Sequence, residues 1–493
     1  MSALSSESGS QSAGPSVRAL AAVIAGTLAL RLVIAAVTPL TEDEAYYRLW
    51  SFRPDLGYYD HPPMVAWLIW AGRQVAGDKP LGVRLGAILS TTLTTLLTFD
   101  LGRVAGLGER VAARGAIWLN ATILVGVGGL LAVPDAENGL FWTATLCCAF
   151  RAVRRHPAWW LGAGFAAGLA CLSKYSALFL GPGLVFWLAG ARDGRRALAT
   201  PWPWLAAAIA AAVFAPNVAW NAAHGWLTFN RQFGRVRVDG WAPGYLIKLV
   251  VDQVLLLNPL IAVFLGLSVR RLSPAPLLAI CAPYVLYLAF HSLHDEVQGQ
   301  WPAPLYPTLA LCAAAAAERA SGWLARLRTA APWLGLACAG ATLIVVAAAS
   351  DGRLAYPVPA RDLRGWPAFA AGVERARIGA GAAWVGGTDY GIVAELADWP
   401  AIKAPVAEVF ERERYSFELP AARADFSRPG LILVPPRDGG EPQVRSCFAH
   451  VTPLPEIDRG QGGATVRYRV FRVSGPRRDV ERSGCGDPGP RLP

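Results

Sequence analysis

The sequence predicts a mainly α-helical protein that crosses a membrane many times and carries a small α/β domain at its C-terminal end. Of its 493 residues, 54% are hydrophobic and only 16% are charged, whereas soluble domains carry about 25% charged residues. Apolar runs long enough to cross a hydrocarbon core of about 30 Å recur along the first two thirds of the chain. From about residue 351 the chain becomes richer in charge and proline.

The apolar runs define the predicted elements and domains. We expect about eleven membrane helices, at 18–40, 81–102, 112–133, 138–150, 158–172, 176–190, 201–220, 245–268, 273–291, 304–317 and 330–349. The first run lacks a basic preceding region and a cleavage pattern, so we expect a retained helix rather than a signal peptide. The predicted domains are a disordered N-terminus (1–17), a membrane domain (18–350) with a first extracytoplasmic loop at 41–80, an α/β domain (351–475) and a disordered tail (476–493).

Arginines set the predicted orientation. The connections between apolar runs alternate between two kinds, and one kind holds fourteen arginines but only three acids. The arginines are Arg103, Arg110, Arg114, Arg151, Arg154, Arg155, Arg192, Arg195, Arg196, Arg270, Arg271, Arg319, Arg326 and Arg328, and the acids are Glu109, Asp193 and Glu318. Lys and Arg concentrate in cytoplasmic loops. The N-terminus is therefore expected in the cytoplasm and the C-terminal domain in the periplasm or outside the cell. The net charge of +11 reflects this topology, and no motif indicates a nucleic-acid partner.

The 158–190 region needs one further argument. It could form a single long helix, but arginine clusters flank it at both ends, so it must cross an even number of times. Two short helices that turn at Ser173-Lys174-Tyr175 satisfy this condition.

The C-terminal part shows short strand and helix patterns. Strands are predicted at Ala383–Gly387, Leu431–Val434 and Thr465–Val473, and helices at Trp366–Arg377 and Tyr390–Ala397. Cys447 and Cys485 are the two cysteines outside the apolar runs, and a disulfide between them fits only an oxidising compartment.

The first extracytoplasmic loop contains the highest density of candidate functional side chains. Asp43-Glu44 follows the first helix directly and is followed by aromatic residues and by Tyr59-Asp60-His61-Pro62-Pro63. A carboxylate fixed at this boundary can act as a general base toward an alcohol or amine. The alternative is that the acids only cap a helix at Glu44–Phe52. His61 precedes a helix expected to start near Met64, where a phosphate would be favoured, although a surface histidine in a turn is the simpler interpretation.

Other polar residues fall on the same predicted side. Asp135 follows Pro134 at an ordinary helix start, Lys174 lies at a turn between apolar helices, and Glu296 lies in an aromatic and proline-rich loop with His294. Each could be a solvated or snorkelling charge. Carboxylates close to bilayer level are costly, however, so as a set they are functional candidates. No metal-binding spacing is present, and no DxD pair of the kind that binds nucleotide sugars through a metal.

Together these motifs resemble a known family. The order is the acidic pair, Tyr58-Tyr59-Asp60-His61-Pro62-Pro63, Pro134-Asp135, Leu172-Ser173-Lys174-Tyr175 and the Glu296-Val297 loop that ends in Trp301-Pro302. It resembles GT-C glycosyltransferases of the protein O-mannosyltransferase type, and especially bacterial transferases of aminoarabinose or galacturonic acid to lipid A or core oligosaccharide. The resemblance covers about residues 20–310.

The resemblance implies a GT-C-like membrane domain and a role for each matching residue. Asp43 falls at the catalytic position with Glu44 beside it, and His61 falls where relatives carry a lysine that meets the lipid phosphate. Asp135 and Lys174 fall on positions that line the phosphate cavity. Tyr46 stands where some relatives carry an arginine, so Arg48 or Arg231 is expected to supply that charge.

The implied function is transfer of a sugar from a polyprenyl-phosphate donor to a lipid or glycan acceptor at the outer face of the cell inner membrane. We expect substrate contacts from Tyr59, His61, Asp135, Lys174, Arg231 and Glu296, with no cofactor indicated and a divalent cation left open. The alternative is a secondary transporter or lipid flippase. Transporters place charges near the bilayer midplane and often contain repeats, whereas these charges collect on one side and no repeat is visible.

Overall fold

The structure is a computed structural model that describes residues 17–235, 238, 240–350, 363–410, 412–415, 423–436, 440–460 and 465–485. The predicted disorder of residues 1–16 and 486–493 lies outside these ranges. The membrane part consists of helices joined mostly by short connections. Its first helices are α1 Val17–Val37, α2 Glu42–Trp50, α3 Met64–Ala76, α4 Pro80–Val104, α5 Glu109–Asn120, α6 Ile123–Gly128, α7 Pro134–Arg154, α8 Trp159–Ser173 and α9 Leu180–Gly190. It continues with α10 Arg192–Leu198, α11 Trp202–Ala223, α12 Leu227–Gly234, α13 Gly244–Leu256, α14 Pro259–Arg270, α15 Ala275–His291, α16 Tyr306–Glu318 and α17 Gly322–Ser350.

The number of clear membrane spans is smaller than the predicted number of crossings. In the described part of the chain, α1, α4, α11 and α17 are long and apolar enough to cross a membrane, and the bent pair α13–α14 would make a fifth span. Helices α8, α15 and the stretch Tyr175–Gly190 are apolar but shorter. The protein is therefore a multi-pass membrane protein, while the count of eleven stays a prediction.

Two apolar runs are broken where the sequence alone suggested continuous helices. The 245–268 run bends by 114° between α13 and α14. Asn258 lies at the break with φ 74°, and its side chain accepts a hydrogen bond from the Leu260 amide, while Pro259 has no amide hydrogen to continue the first helix. The 112–133 run divides into α5 and α6 because Thr122 caps the second helix.

The turn at Lys174 is confirmed. Helix α8 ends at Ser173, Lys174 is extended at φ −157° and ψ 138°, and a 3₁₀ turn at Tyr175–Phe179 leads into α9. The two short helices predicted for 158–190 are therefore present.

The C-terminal domain is α/β, as predicted. Its helices are α18 Trp366–Gly379, α19 Tyr390–Asp398, α20 Glu441–Cys447 and α21 Val480–Ser483. Its strands are β1 Trp384–Gly387, β2 Val406–Glu408, β3 Gly430–Val434, β4 Phe448–Arg459 and β5 Val466–Pro476, in the order β2-β1-β3-β5-β4. Strands β2, β1 and β3 are parallel, and β5 is antiparallel to both β3 and β4.

The ordered domain extends further than predicted. Disorder from residue 476 is wrong for residues 476–485, because α21 lies there and Cys485 forms a disulfide with Cys447. The domain also packs directly on the membrane part. One hydrophobic cluster contains Tyr46, Trp50 and Val65 from α2 and α3 together with Phe369 and Ile392 from α18 and α19.

Candidate active site

A cavity of about 890 Å³ lies between the membrane helices and the C-terminal domain. Its polar wall contains Asp43, Asp60, His61, Asp135, Lys174, Arg231, Arg235, Tyr390 and Arg414. The cavity therefore brings together five residues predicted from sequence: Asp43, His61, Asp135, Lys174 and Arg231. These residues come from four separate parts of the chain.

Helix α2 positions Asp43. Thr41 caps this helix, since its hydroxyl accepts from the Glu44 amide at 3.3 Å and the Glu44 carboxylate accepts from the Thr41 amide at 3.0 Å. This reciprocal capping box fixes the first turn, so the half-buried Asp43 side chain faces the cavity. Burial raises the pKa of the Asp43 carboxyl above its ordinary value. A raised pKa suits a general base, which must accept a proton as the reaction proceeds.

Glu44 has a different place from the one predicted. Its side chain is fully buried, outside the cavity lining, and accepts hydrogen bonds from Arg84 at 2.6 and 2.8 Å and from the Ala132 amide at 3.0 Å. Burial opposes ionisation of Glu44, but the charge and hydrogen bonds of Arg84 lower its pKa below the ordinary value. Glu44 therefore lies in a capping box and a buried ion pair outside the cavity lining, as the capping alternative predicts, while its catalytic role stays a prediction.

Asp135 and Lys174 form an ion pair at the cavity wall. Asp135 lies in the first turn of α7 and Lys174 in the turn after α8, and Lys174 Nζ is 2.7 Å from Asp135 Oδ1. Both side chains are mostly buried. The pairing holds the ammonium group in a fixed position at the cavity wall.

Asp60 forms ion pairs with both Arg231 and Arg414. Its Oδ2 accepts a hydrogen bond from Arg414 Nη1 at 3.1 Å and lies 3.1 Å from the Tyr46 hydroxyl, and its Oδ1 lies 3.5 Å from Arg231 Nε. Tyr59, the predicted aromatic contact, does not line the cavity. Its ring instead packs 5.7 Å from the guanidinium carbons of both arginines.

His61 lines the cavity as a neutral side chain. Burial first, and then the positive charges of Lys174 and the neighbouring arginines, lower the pKa of His61 well below its ordinary value. The imidazole can donate a hydrogen bond to a phosphate, but it brings no positive charge.

Arg235 follows α12 and was missed in the sequence, where it is one arginine among many. Its pKa is lowered by burial and by the nearby charges of Arg231 and Arg414. None of the described carboxylates forms an ion pair with it. Crowded cations of this kind are stabilised by an anion that binds among them.

Glu296 does not reach the cavity. Its carboxylate is about half exposed and pairs with Lys248 at 3.2 Å. The same loop instead presents Gln298 to Trp301 at the cavity wall, and the substrate contact by Glu296 stays a prediction. Arg48, the second predicted cation, bonds to Asp78 at 2.8 Å and does not line the cavity.

One side of the cavity is apolar. Leu119, Leu124, Val125, Leu131 and Leu256 line it beside the charged wall. Because cationic and apolar side chains line the same cavity, it fits an amphiphile with an anionic head and a hydrocarbon tail. Within the described ranges, no group of three or more His, Cys, Asp or Glu side chains could hold a metal ion.

Fold and cavity together define a multi-pass membrane protein with a carboxylate, cations and an apolar wall in one cavity beneath a small α/β domain. Residues 60–220 match the family model described as dolichyl-phosphate-mannose-protein mannosyltransferase. A crystal structure of ArnT from Cupriavidus metallidurans, bound to undecaprenyl phosphate, shares this fold. It aligns with a TM-score of 0.62 and 16% identity over 94% of this chain and 100% of that one.

Two curated relatives match part of the chain. Lipid A galacturonosyltransferase RgtD from Rhizobium johnstonii is 32% identical over 192 residues, 37% of this chain and 38% of the relative. An undecaprenyl phosphate-alpha-4-amino-4-deoxy-L-arabinose arabinosyl transferase from Proteus mirabilis is 27% identical over 125 residues, 24% of this chain and 23% of the relative. The chain thus spans less than two fifths of either relative. These matches confirm the predicted resemblance to GT-C glycosyltransferases.

Proposed function

We propose that the protein is a membrane glycosyltransferase that moves a sugar from a polyprenyl-phosphate donor to a lipid or glycan acceptor such as lipid A, core oligosaccharide or another envelope glycan. The observation that carries the proposal is the cavity itself. It places the Asp43 carboxylate in the same space as Lys174, Arg231, Arg235 and Arg414, next to an apolar wall. Both curated relatives described above are named as transferases of a sugar, which supports the same reading.

The proposed chemistry is a single inverting displacement. Asp43 takes the proton from an acceptor hydroxyl as the oxygen bonds to the anomeric carbon. The bond from that carbon to the phosphate oxygen breaks, and polyprenyl phosphate leaves with the bonding electrons. Lys174, Arg231 and Arg235 stabilise the negative charge that grows on the phosphate, and neutral His61 donates a hydrogen bond. Since cationic side chains supply this charge, we propose that the reaction requires no cofactor or divalent cation.

We further propose that the cavity opens to the periplasmic side of the cell inner membrane, with about eleven crossings, a cytoplasmic N-terminus and a periplasmic C-terminal domain. The arginine distribution supports this orientation. The Cys447–Cys485 disulfide supports it as well, because disulfides persist in oxidising compartments. Labelling of single engineered cysteines with a membrane-impermeant maleimide tests the topology.

Transfer by the full-length protein tests the function. Purified protein is incubated with a polyprenyl-phosphate sugar and envelope glycolipid, and the product is analysed by mass spectrometry. The expected product is heavier than the acceptor by one sugar residue, and free polyprenyl phosphate accumulates with it. A protein that moves the donor across a vesicle membrane without forming a glycosidic bond would be a transporter instead.

A further inference from the structure

A side chain of the C-terminal domain donates a hydrogen bond to the proposed catalytic base, Asp43. The Tyr390 hydroxyl, at the first position of α19, donates a hydrogen bond of 2.6 Å to Asp43 Oδ1. These two residues are 347 positions apart in sequence and belong to different parts of the molecule. A hydrogen bond to a charged carboxylate is among the stronger kinds in proteins.

Several contacts fix the position of Tyr390. Asp389 caps α19 by accepting a hydrogen bond from the Gly391 amide at 2.8 Å. Gly391 allows α19 to approach α2 closely, since a Cβ there would lie 2.9 Å from Glu42 Cβ. The Tyr415 hydroxyl donates to the Tyr390 carbonyl at 2.7 Å, and the Arg414 guanidinium carbon lies 4.4 Å from the Tyr390 ring centre.

We propose that Tyr390 is a positioning residue for the glycosyl transfer: it holds Asp43 Oδ1, so that Oδ2 remains available to take the proton of the acceptor hydroxyl. In the described ranges no side chain or amide donates a hydrogen bond to Oδ2. The C-terminal domain therefore completes the active site instead of only covering it. This inference rests on the proposed function, in which Asp43 is the general base.

Removing the Tyr390 hydroxyl should change the pH dependence of sugar transfer, because this hydroxyl favours the ionised form of Asp43. Burial and the Asp43 charge raise the pKa of Tyr390, so its hydroxyl keeps its proton and remains a donor. The titratable and charged groups that interact with Asp43 are Tyr390 from α19, Arg414 from the 3₁₀ turn Arg412–Tyr415, Asp60 from the first loop, and Glu44 and Tyr47 from α2. Of these, Tyr390 and Arg414 favour the ionised Asp43, whereas Asp60 and Glu44 oppose it.

The test is Tyr390→Phe in the full-length protein, with transfer measured as kcat and KM across pH. Loss of the donor destabilises the ionised Asp43, so its pKa rises further, and the acidic limb of kcat moves to higher pH. We expect kcat at neutral pH to fall about tenfold, the size of one charged hydrogen bond, with KM for the donor unchanged. Tyr468→Phe is the matched control, because it removes a buried hydroxyl of the same domain that bonds to Arg459 and not to Asp43.

Two further results separate the inference from the proposed function. In an Asp43→Asn background, Tyr390→Phe should cause no additional loss, since the two residues act as one unit. If Asp43→Asn abolishes transfer but Tyr390→Phe leaves the pH profile of wild type, the positioning role is refuted and the proposed function stands. If Asp43→Asn keeps full activity, the base assignment itself fails. Equal thermal stability of wild type and Tyr390→Phe ensures that any change reports chemistry and not unfolding.

Discussion

Asp43 and Glu44 are neighbours in α2, yet they belong to two charged regions with different properties. Glu44 lies in a closed region, where Arg84, Thr41 and Ala132 satisfy its carboxylate and where it is not part of the lining of the described cavity. Asp43 lies in an open region, where Tyr390 binds one oxygen and the cavity reaches the side chain. The closed region gives the first loop its shape, and the open region is available for chemistry.

The same contrast applies to the cations. Arg84 is bound by Glu44 and by the Thr38 and Pro39 carbonyls, all at 2.6–2.9 Å. Arg235 faces the cavity among other cations. A buried charge whose partners are all present has a structural role, whereas a charge that faces a cavity can bind a ligand.

The largest expected effect is on the open carboxylate. Asp43→Asn removes the proposed base while keeping the size of the side chain, so the transfer rate should fall about 10²- to 10⁴-fold. The thermal unfolding temperature should stay close to that of wild type. Donor binding, measured with a fluorescent polyprenyl-phosphate probe, should also be retained. Loss of donor binding in this variant would place Asp43 in substrate recognition instead.

The closed carboxylate should respond in the opposite way. Glu44→Gln leaves Arg84 buried without a counter-charge, which costs about 3–5 kcal/mol of unfolding free energy. Denaturant unfolding of the purified protein measures this cost, and activity per folded molecule should change far less than in Asp43→Asn. The double variant Glu44→Gln/Arg84→Gln should recover part of the stability. A stable Glu44→Gln protein without activity would return this residue to the catalytic set.

Substitution of a cation that faces the cavity should weaken binding of the donor. Arg235→Met removes one charged hydrogen-bond donor from the proposed phosphate site, worth about 1.5–3 kcal/mol, or roughly ten- to hundredfold in Kd. Binding of polyprenyl phosphate to the full-length protein measures this change. Arg196→Met is the control, since Arg196 is exposed, pairs with Asp193 and does not line the cavity. Equal losses in both variants would indicate nonspecific attraction of an anionic lipid.

The pH dependence of transfer should report the ionisation of Asp43 and not that of His61. Asp43 must be ionised to act as a base, and its pKa is raised, so activity should be lost on acidification at a higher pH than for an ordinary aspartate, about 3.9. His61 has a lowered pKa and should add no inflection near its ordinary value of about 6.5. An inflection near that value that disappears in His61→Gln would show that the imidazole titrates during turnover.

The smallest expected effect concerns metal ions. Because side-chain cations supply the charge at the proposed phosphate site, treatment with EDTA should leave the transfer rate within about twofold of the untreated enzyme. Restoration of a lost rate by one particular divalent ion would contradict this expectation.

Much of this organisation could be predicted from the sequence, because it depends on local patterns. A few adjacent residues suffice to predict a helix start such as Pro134-Asp135, the turn at Lys174 and the strand that becomes β5. The convergence of Asp43, Asp135 and Lys174 was predicted through the order of motifs and the side of the membrane assigned to each.

The remaining parts depend on contacts between distant residues. The sequence could not distinguish Asp43 from Glu44, because the difference lies in Arg84, 40 positions away. It could not identify Tyr390 and Arg414 either, since nothing near them in the chain marks a site. Their role depends on the hydrophobic contact between the C-terminal domain and α2, which brings them to the cavity.

An experimental structure of the full-length protein with polyprenyl phosphate tests the central claim most directly. We predict that the phosphate binds in the cavity, in contact with Arg235 and Lys174, with the Asp43 carboxylate across from it and the lipid chain along Leu119, Leu124 and Val125. A phosphate bound outside this cavity, with Asp43 remote from it, would contradict the account.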